Sequence, residues 1–204
     1  MIFKRLLFLV LLLITFNVNA QDYELWGTLK VQGKLNDKWE IEVEGENRYN
    51  FNAQNIRYFH YDIGAFYSIN KNFKTGLFYR DIFENKNDVV TRITVFHGDV
   101  TYSLSGFKIR TRLEYIVKYH DYENKFRLRI RPGYQTHLWK NFNPFIQDEI
   151  FVSDIDEFTR NRLNIGISID VGKFQFQPGY LLESNQGDLW ENRNVLWINT
   201  KIKL

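Results

Sequence analysis

The sequence predicts an all-β fold: an up-and-down antiparallel transmembrane β-barrel of about 10–12 strands around a charged lumen. Three observations predict it. Apolar and charged residues alternate with period two almost everywhere after Ala20, the signature of strands with two unlike faces. Tight polar turns alternate with longer polar links, as in a meander with two unlike ends. Aromatic residues, 17% of the chain, recur near the ends of the apolar faces, where rings suit membrane interfaces.

The segment 1–20 stands apart. Lys4 and Arg5 precede the apolar run Leu6–Phe16, and Val18-Asn19-Ala20 offers small residues for a signal peptidase. This reads as a secretory signal peptide cleaved after Ala20, too short to span a bilayer. Residues 21–204 then form one domain. Without Lys4 and Arg5 the 27 basic residues become 25 against 24 acidic ones, so the net charge falls from +3 to +1. That balance argues against a nucleic-acid partner, which needs a concentrated positive excess. The chain has no Cys, so an exported domain must hold together without disulfides.

The strands follow in order. Tyr23, Leu25, Leu29, Val31 and Leu35 alternate with Glu24, Lys30, Gln32 and Lys34. Trp39, Ile41, Val43 and Tyr49 alternate with Glu40, Glu42, Glu44, Glu46 and Arg48. Phe59-Tyr61-Ile63-Ala65-Tyr67 and Leu77-Tyr79 continue the pattern, with Arg80 after them. In 90–104, which holds Arg92, the apolar parity changes near Gly98, and a bulge is expected there. Residues 106–119 set Phe107, Ile109, Leu113, Tyr115, Val117 and Tyr119 against Lys108, Arg110, Arg112, Glu114 and Lys118. Phe126-Leu128-Ile130 opposes Arg127, Arg129 and Arg131; Glu149 lies in the strand after it. Leu163-Ile165-Ile167-Ile169-Val171 opposes Arg160, Arg162, Asn164, Ser168 and Asp170. Leu196, Ile198, Ile202 and Leu204 oppose Asn199, Lys201 and Lys203. About eleven strands result, whereas two ends on the periplasmic side require an even number.

Tight turns fall at Asn36-Asp37-Lys38, Asn70-Lys71-Asn72, Ser105-Gly106 and Val171-Gly172. The longer links are 50–56, 81–89, 120–124, 153–159 and 184–192, several of them acidic. Arg131-Pro132-Gly133-Tyr134 and Gln177-Pro178-Gly179-Tyr180 read as curvature devices.

Alternation alone does not say which face is outside. A soluble lipocalin-like barrel is apolar within; a membrane barrel is the reverse. Runs of about ten residues, more strands than a lipocalin and the aromatic ends favour the membrane. Arg or Lys on the lipid face costs ~2–4 kcal/mol at mid-depth, so the charged face must line the interior. Lumen-lining residues are therefore Glu40, Glu42, Glu44, Glu46, Arg48, Arg80, Arg92, Arg110, Arg112, Glu114, Arg127, Arg129, Arg131, Glu149, Arg160 and Arg162.

Several short stretches together resemble a known family: Trp26; Glu44-Gly45-Glu46-Asn47-Arg48; Phe78-Tyr79-Arg80-Asp81; Arg110-Thr111-Arg112-Leu113-Glu114; Phe126-Arg127-Leu128-Arg129; Glu149-Ile150-Phe151; and Asn161-Arg162-Leu163-Asn164-Ile165-Gly166. The chain resembles the outer-membrane β-barrel proteins catalogued as domain of unknown function 2490, common in Bacteroidetes-like bacteria. The resemblance implies a barrel in the outer membrane of a Gram-negative cell and brings no activity with it. Its implied partners are outer-membrane lipid and the barrel-assembly machinery. Such barrels usually end in an aromatic residue read by that machinery, and this chain ends in Leu204.

The inward charges suggest a basic wall (Arg110, Arg112, Arg127, Arg129, Arg131, Arg160, Arg162) facing the four-Glu strand across the lumen. Three readings stay open: a structural ion-pair plug, a narrow water-filled pore with a transverse field, and a small-ligand pocket. An enzyme is not expected, although a lipid-modifying barrel enzyme and a soluble barrel for an apolar ligand are the alternatives. His60, His97, His120 and His137 are scattered, no nucleophile elbow exists, and no closely spaced His pair signals zinc. No cofactor is predicted.

Overall fold

The computed structural model describes residues 22–86, 89–119, 124–139, 141–153, 157–186 and 191–204. The predicted signal segment 1–20 lies outside them, as does His120. Eleven strands form: β1 Asp22–Lys34, β2 Trp39–Asn50, β3 Asn55–Ser68, β4 Phe73–Lys86, β5 Val89–Leu104, β6 Phe107–Lys118, β7 Asn124–Gln135, β8 Phe142–Ser153, β9 Glu157–Val171, β10 Phe174–Asn185 and β11 Glu191–Lys203. Each pairs with its sequence neighbours, and β1 pairs with β11 to close the barrel.

The closing pair is parallel, from Asp22↔Arg193 to Gln32↔Lys203. This follows from the odd number: successive hairpins point all odd strands the same way, so the first and the last run together. The expected even count is not met, and wholly antiparallel pairing fails at this one seam. Asp22 consequently sits at the end of the longer links, where the Phe51 amide donates to the Tyr23 carbonyl at 3.1 Å. Leu204 sits at the opposite, short-turn end, its amide donating to the Gln32 carbonyl at 2.8 Å.

The tight turns form as expected and for local reasons. The Asn36 carboxamide oxygen accepts from the amides of Lys38 and Trp39, both at 2.9 Å. Asn70 does the same for Asn72 and Phe73. Ser105 and Gly106 both take positive φ (49° and 84°), the backbone a two-residue hairpin needs. The Pro-Gly pairs lie where the ladder is interrupted: no β7–β8 partners appear between Ile130↔Ile150 and Gly133↔Gln147. Gly179 leaves room for the inward Trp197 ring, which a Cβ would meet at 2.7 Å.

Other expectations give way. The link 81–89 is not a loop, because β4 runs through Lys86 and Asp81 is fully buried. No bulge occurs near Gly98: β5 pairs with β4 and β6 in unbroken register, and the two shifts fall at Arg48/Tyr49 and Phe151/Val152. What changes near Gly98 is the polarity of the faces, not the backbone. Toward the short turns, Phe96 and Val100 face outward and His97 and Asp99 inward. Toward the longer links, Arg92 and Thr94 face outward while Val95, 1% exposed, packs inside.

The outer wall is apolar around the whole circumference, with Leu29, Ile41, Ile63, Leu77, Phe96, Leu113, Tyr134, Ile146, Ile165, Tyr180 and Ile198 exposed. Several outward polar groups are partnered within the wall. Asp81 accepts from Arg92, Thr94 and Tyr61. Asp148 accepts from Asn161 at 2.7 Å, and Tyr180 bonds Asn194.

Candidate functional site

The interior is the part of the molecule where chemistry-bearing residues converge. Period-two geometry sends every other side chain of a strand inward, so the charged residues of eleven strands meet along the axis. They form a belt of ion pairs that crosses the barrel at mid-height. On β3 and β4, Arg80 Nη2 lies 2.5 Å from Asp62 Oδ2. His97 lies between Asp62 and Asp99, with each ring nitrogen 3.1 Å from a carboxylate oxygen. Both ring nitrogens of His97 are thus tied to carboxylates, Asp99 on its own strand and Asp62 on β3. Its ring stacks on Phe78 at 4.9 Å and 6°.

Arg112 continues the belt with two parallel bonds to Asp99, at 2.7 and 2.8 Å. Glu114, fully buried, accepts from Arg127 at 2.6 Å and Arg129 at 2.7 Å, with Arg112 at 3.9 Å. Glu149 takes Arg129 at 2.9 Å, Arg110 at 3.4 Å and Arg162 at 3.8 Å. Glu183 takes Arg162 at 2.6 Å, Arg193 at 3.1 Å and Arg160 at 3.6 Å. Glu24 holds Arg193 at 3.4 Å and accepts from the Trp26 indole at 2.7 Å. Asn50 on β2 also donates to Glu24, which returns the belt to the second strand.

The four-Glu strand is satisfied locally. Glu40 pairs with Lys74 at 2.6 Å, and Glu42 with Lys30 at 3.0 Å. Glu44 binds Lys30 at 2.6 Å and His60 at 3.1 Å, with Arg80 at 4.0 Å. Glu46 binds Arg48 at 2.7 Å, whose guanidinium lies 3.8 Å from the Trp26 ring centre and 3.9 Å from that of Tyr58. The expected confrontation of a basic wall with an acidic one is therefore replaced by local pairing. Asp99, Glu114, Glu149 and Glu183 stand among the arginines and neutralise most of them.

The predicted lumen residues fall into three groups. Glu40, Glu42, Glu44, Glu46, Arg48, Arg80, Arg110, Arg112, Glu114, Arg127, Arg129, Glu149, Arg160 and Arg162 face inward and join the ion pairs above. Arg131 faces inward opposite Arg110, and among the described residues no carboxylate lies within 4.0 Å of it. Arg92 does not face the lumen. It pairs with Phe83 on the outer wall, binds the outward Asp81 at 2.5 Å, and its side chain is 51% exposed. A charge can stand outside when its partner shares that face, and Asp81 does so here.

Sequence reasoning missed Glu24, Asp62, Asp99, His97 and Glu183 as belt members, although each shares the inward parity of its strand. It also missed the apolar filling. Phe151, 2% exposed, is sandwiched by guanidiniums, with Arg129 and Arg162 each 4.8 Å from its ring centre. Trp26, Leu181 and Val195 pack into a small core with Trp197. Two vestibules lie beyond the belt and rings, one toward each end of the barrel. One, at the short-turn end, has a volume of about 560 Å³ and is bordered by Lys108, Gly133, His137, Asn143 and Gln147. The other, at the end of the longer links, is about 370 Å³ and bordered by Glu24, Arg48, Tyr58, Glu84 and Arg193.

Glu44, Glu46 and His60 bring three potential metal-ligand atoms within 4.8 Å of one another. Lys30 and Arg48 already occupy those carboxylates, so the group is built for cations of the protein itself. Of the acidic links expected outside, Asp88, Asp154, Asp156 and Asp188 lie outside the described residues, while Asp81, Glu84, Glu157 and Glu191 are in strands.

The family model described as "Protein of unknown function (DUF2490)" matches residues 23–193. No curated protein matches the chain.

Proposed function

The chain belongs to this family, and from that premise we propose that it is an integral outer-membrane β-barrel of structural or binding type, non-enzymatic, with a lumen closed by its own ion pairs. The observation that carries the reading is the pairing of an apolar outer wall with a septum of buried charges. A soluble monomer leaves apolar patches of about 300–600 Å² at most. Here Leu77 (77% exposed), Leu196, Ile198, Leu29 and their neighbours make a belt that runs over all strands. Hydrocarbon is the medium in which such a surface costs nothing and an unpaired sheet edge is forbidden, and the barrel has no open edge.

The outward pair Asp81–Arg92 fits this placement at headgroup level. Its row marks where hydrocarbon gives way to water at the end of the longer links, which we assign to the cell exterior. Export by the segment 1–20, insertion by the barrel-assembly machinery and an annulus of outer-membrane lipid belong to the same proposal.

Closure of the lumen favours a plug over a pore. The side chains of Asp99, Glu114 and Glu183 have no solvent exposure, so water does not reach the middle of the belt from either vestibule. His97 is equally enclosed, out of reach of any lipid substrate on the outer wall. Planar-bilayer recording of the mature chain tests this. The expected trace shows no steady conductance steps; reproducible steps that Glu44→Gln alters would overturn the plug in favour of the narrow pore.

A further inference from the structure

Among the described residues, local pairing neutralises most of the interior outside the short-turn end. Lys108 and Arg110 on β6, Arg131 on β7, and Lys201 on β11 all point into this end of the lumen. Among the described residues, Lys108, Arg131 and Lys201 have no carboxylate within 4.0 Å. The charges that act most strongly on Lys108 are Arg131, Arg110, Lys201 and Lys30, all of them cations. Lys30 and Lys201 are directly paired in register on the seam strands, and Arg110 and Arg131 on β6 and β7, so two pairs of like charges face the same interior. The nearest carboxylates are engaged elsewhere: Glu149 with Arg129, Asp99 with Arg112 and His97, Glu42 with Lys30, and Glu40 with Lys74.

Several like charges in a narrow, low-dielectric tube repel strongly, and such a group persists when a counter-anion sits among them. The space for one is present. The vestibule of about 560 Å³ has Lys108 in its wall, and Gln135, Asn143 and Gln147 add neutral hydrogen-bond donors. Its rim carries Thr136 and His137, and His137 bonds Asn143. Guanidinium and ammonium groups together with carboxamides are the donor set for a phosphate oxyanion, with Arg131 able to offer two parallel N–H bonds and Lys108 a point charge.

We propose that the short-turn end of the lumen is a binding site for a small phosphate-bearing anion, which enters through the vestibule past Lys108 and is held by Lys108 together with Arg110, Arg131 and Lys201 deeper in the interior. The phosphate comes either from a soluble phosphate compound entering by the open end or from a lipid headgroup reaching over the rim. This deepens the binding role proposed above but does not need a particular membrane. It requires only the folded barrel, so its failure and the failure of the membrane reading are told apart by the same preparation in detergent.

The test measures the thermal midpoint of the refolded mature chain in uncharged detergent by tryptophan fluorescence. Inorganic pyrophosphate is titrated against sodium chloride at matched ionic strength, and phosphatidic acid is added to the micelles in a parallel series. The wild type is expected to gain thermal stability with pyrophosphate and not with chloride. The double substitution Lys108→Gln/Arg131→Gln is expected to raise the midpoint without ligand, because it relieves repulsion, and to weaken the pyrophosphate response at least tenfold. Lys201→Gln, a milder change, should weaken it in the same direction. A response to phosphatidic acid alone assigns the phosphate to lipid. No response of the wild type to either phosphate, or an undiminished response in the variants, overturns the site.

Discussion

Glu114→Gln is expected to destabilise the barrel by about 3–5 kcal/mol, the cost of stranding buried charges after one partner is removed. The change keeps the shape of the side chain and deletes its charge. Arg127, Arg129 and Arg112 then face one another across a group that no longer neutralises them, at positions now 2.6, 2.7 and 3.9 Å from the carboxylate. Glu40→Gln is the control. It also removes one ion pair, but its partner Lys74 keeps 28% of its side-chain surface exposed, so the loss should stay within ~0–1 kcal/mol. Urea unfolding of the refolded chain reads both. With a slope of ~1–3 kcal/mol per molar, the Glu114 variant should lose about 1–5 M in midpoint. A midpoint shift equal to that of the Glu40 control would show that the belt carries no more stability than surface pairs.

The second large effect is one residue away and on the other side of the wall. Leu113→Arg is expected to cost ~2–4 kcal/mol when the chain is refolded into phospholipid vesicles. Leu113 is 53% exposed and lies on the outer wall between Gly98 and Leu128. In a water-soluble protein an exposed leucine changed to arginine usually alters stability by less than ~0.5 kcal/mol. The two settings therefore predict different results for the same substitution. Equal stability of Leu113→Arg and wild type in vesicles would place this wall in water.

Much of this architecture was legible from residue parity alone. In 106–119 the alternation of Ile109, Leu113 and Tyr115 with Arg110, Arg112 and Glu114 states both faces of β6, and the structure keeps that assignment residue for residue. Asn36 and Asn70 announce their turns because an Asn side chain can cap the following amides without help from the rest of the chain. These are local signals, set by neighbours in sequence.

The misreadings share a different origin. A charge rule alone sends Arg92 to the lumen, yet its partner Asp81 lies on the adjacent strand and on the same outer face. Only strand pairing, Asp81↔Thr94 and Phe83↔Arg92, reveals that. The polarity change near Gly98 has the same cause: Val95 fills the septum while Thr94 serves Asp81 outside. The septum rings are not legible in the sequence because Phe151 meets Arg162 through the pairing of β8 with β9, and Trp26 meets Arg162 across the seam region, far apart in sequence. The odd strand count was close to legible, since about eleven runs could be counted, but the parallel seam that it requires is a property of closure.

The most direct measurement uses the absence of cysteine from the chain. Single cysteines at Leu196, Trp197, Ile198, Asn199 and Thr200 on β11, each carrying an environment-sensitive fluorophore, are refolded into vesicles containing doxyl-labelled lipid. Labels at 196, 198 and 200 should be quenched by the lipid, and those at 197 and 199 should not. Uniform quenching along the strand, or quenching at 197 and 199 instead, would contradict a wall with hydrocarbon outside and charge within.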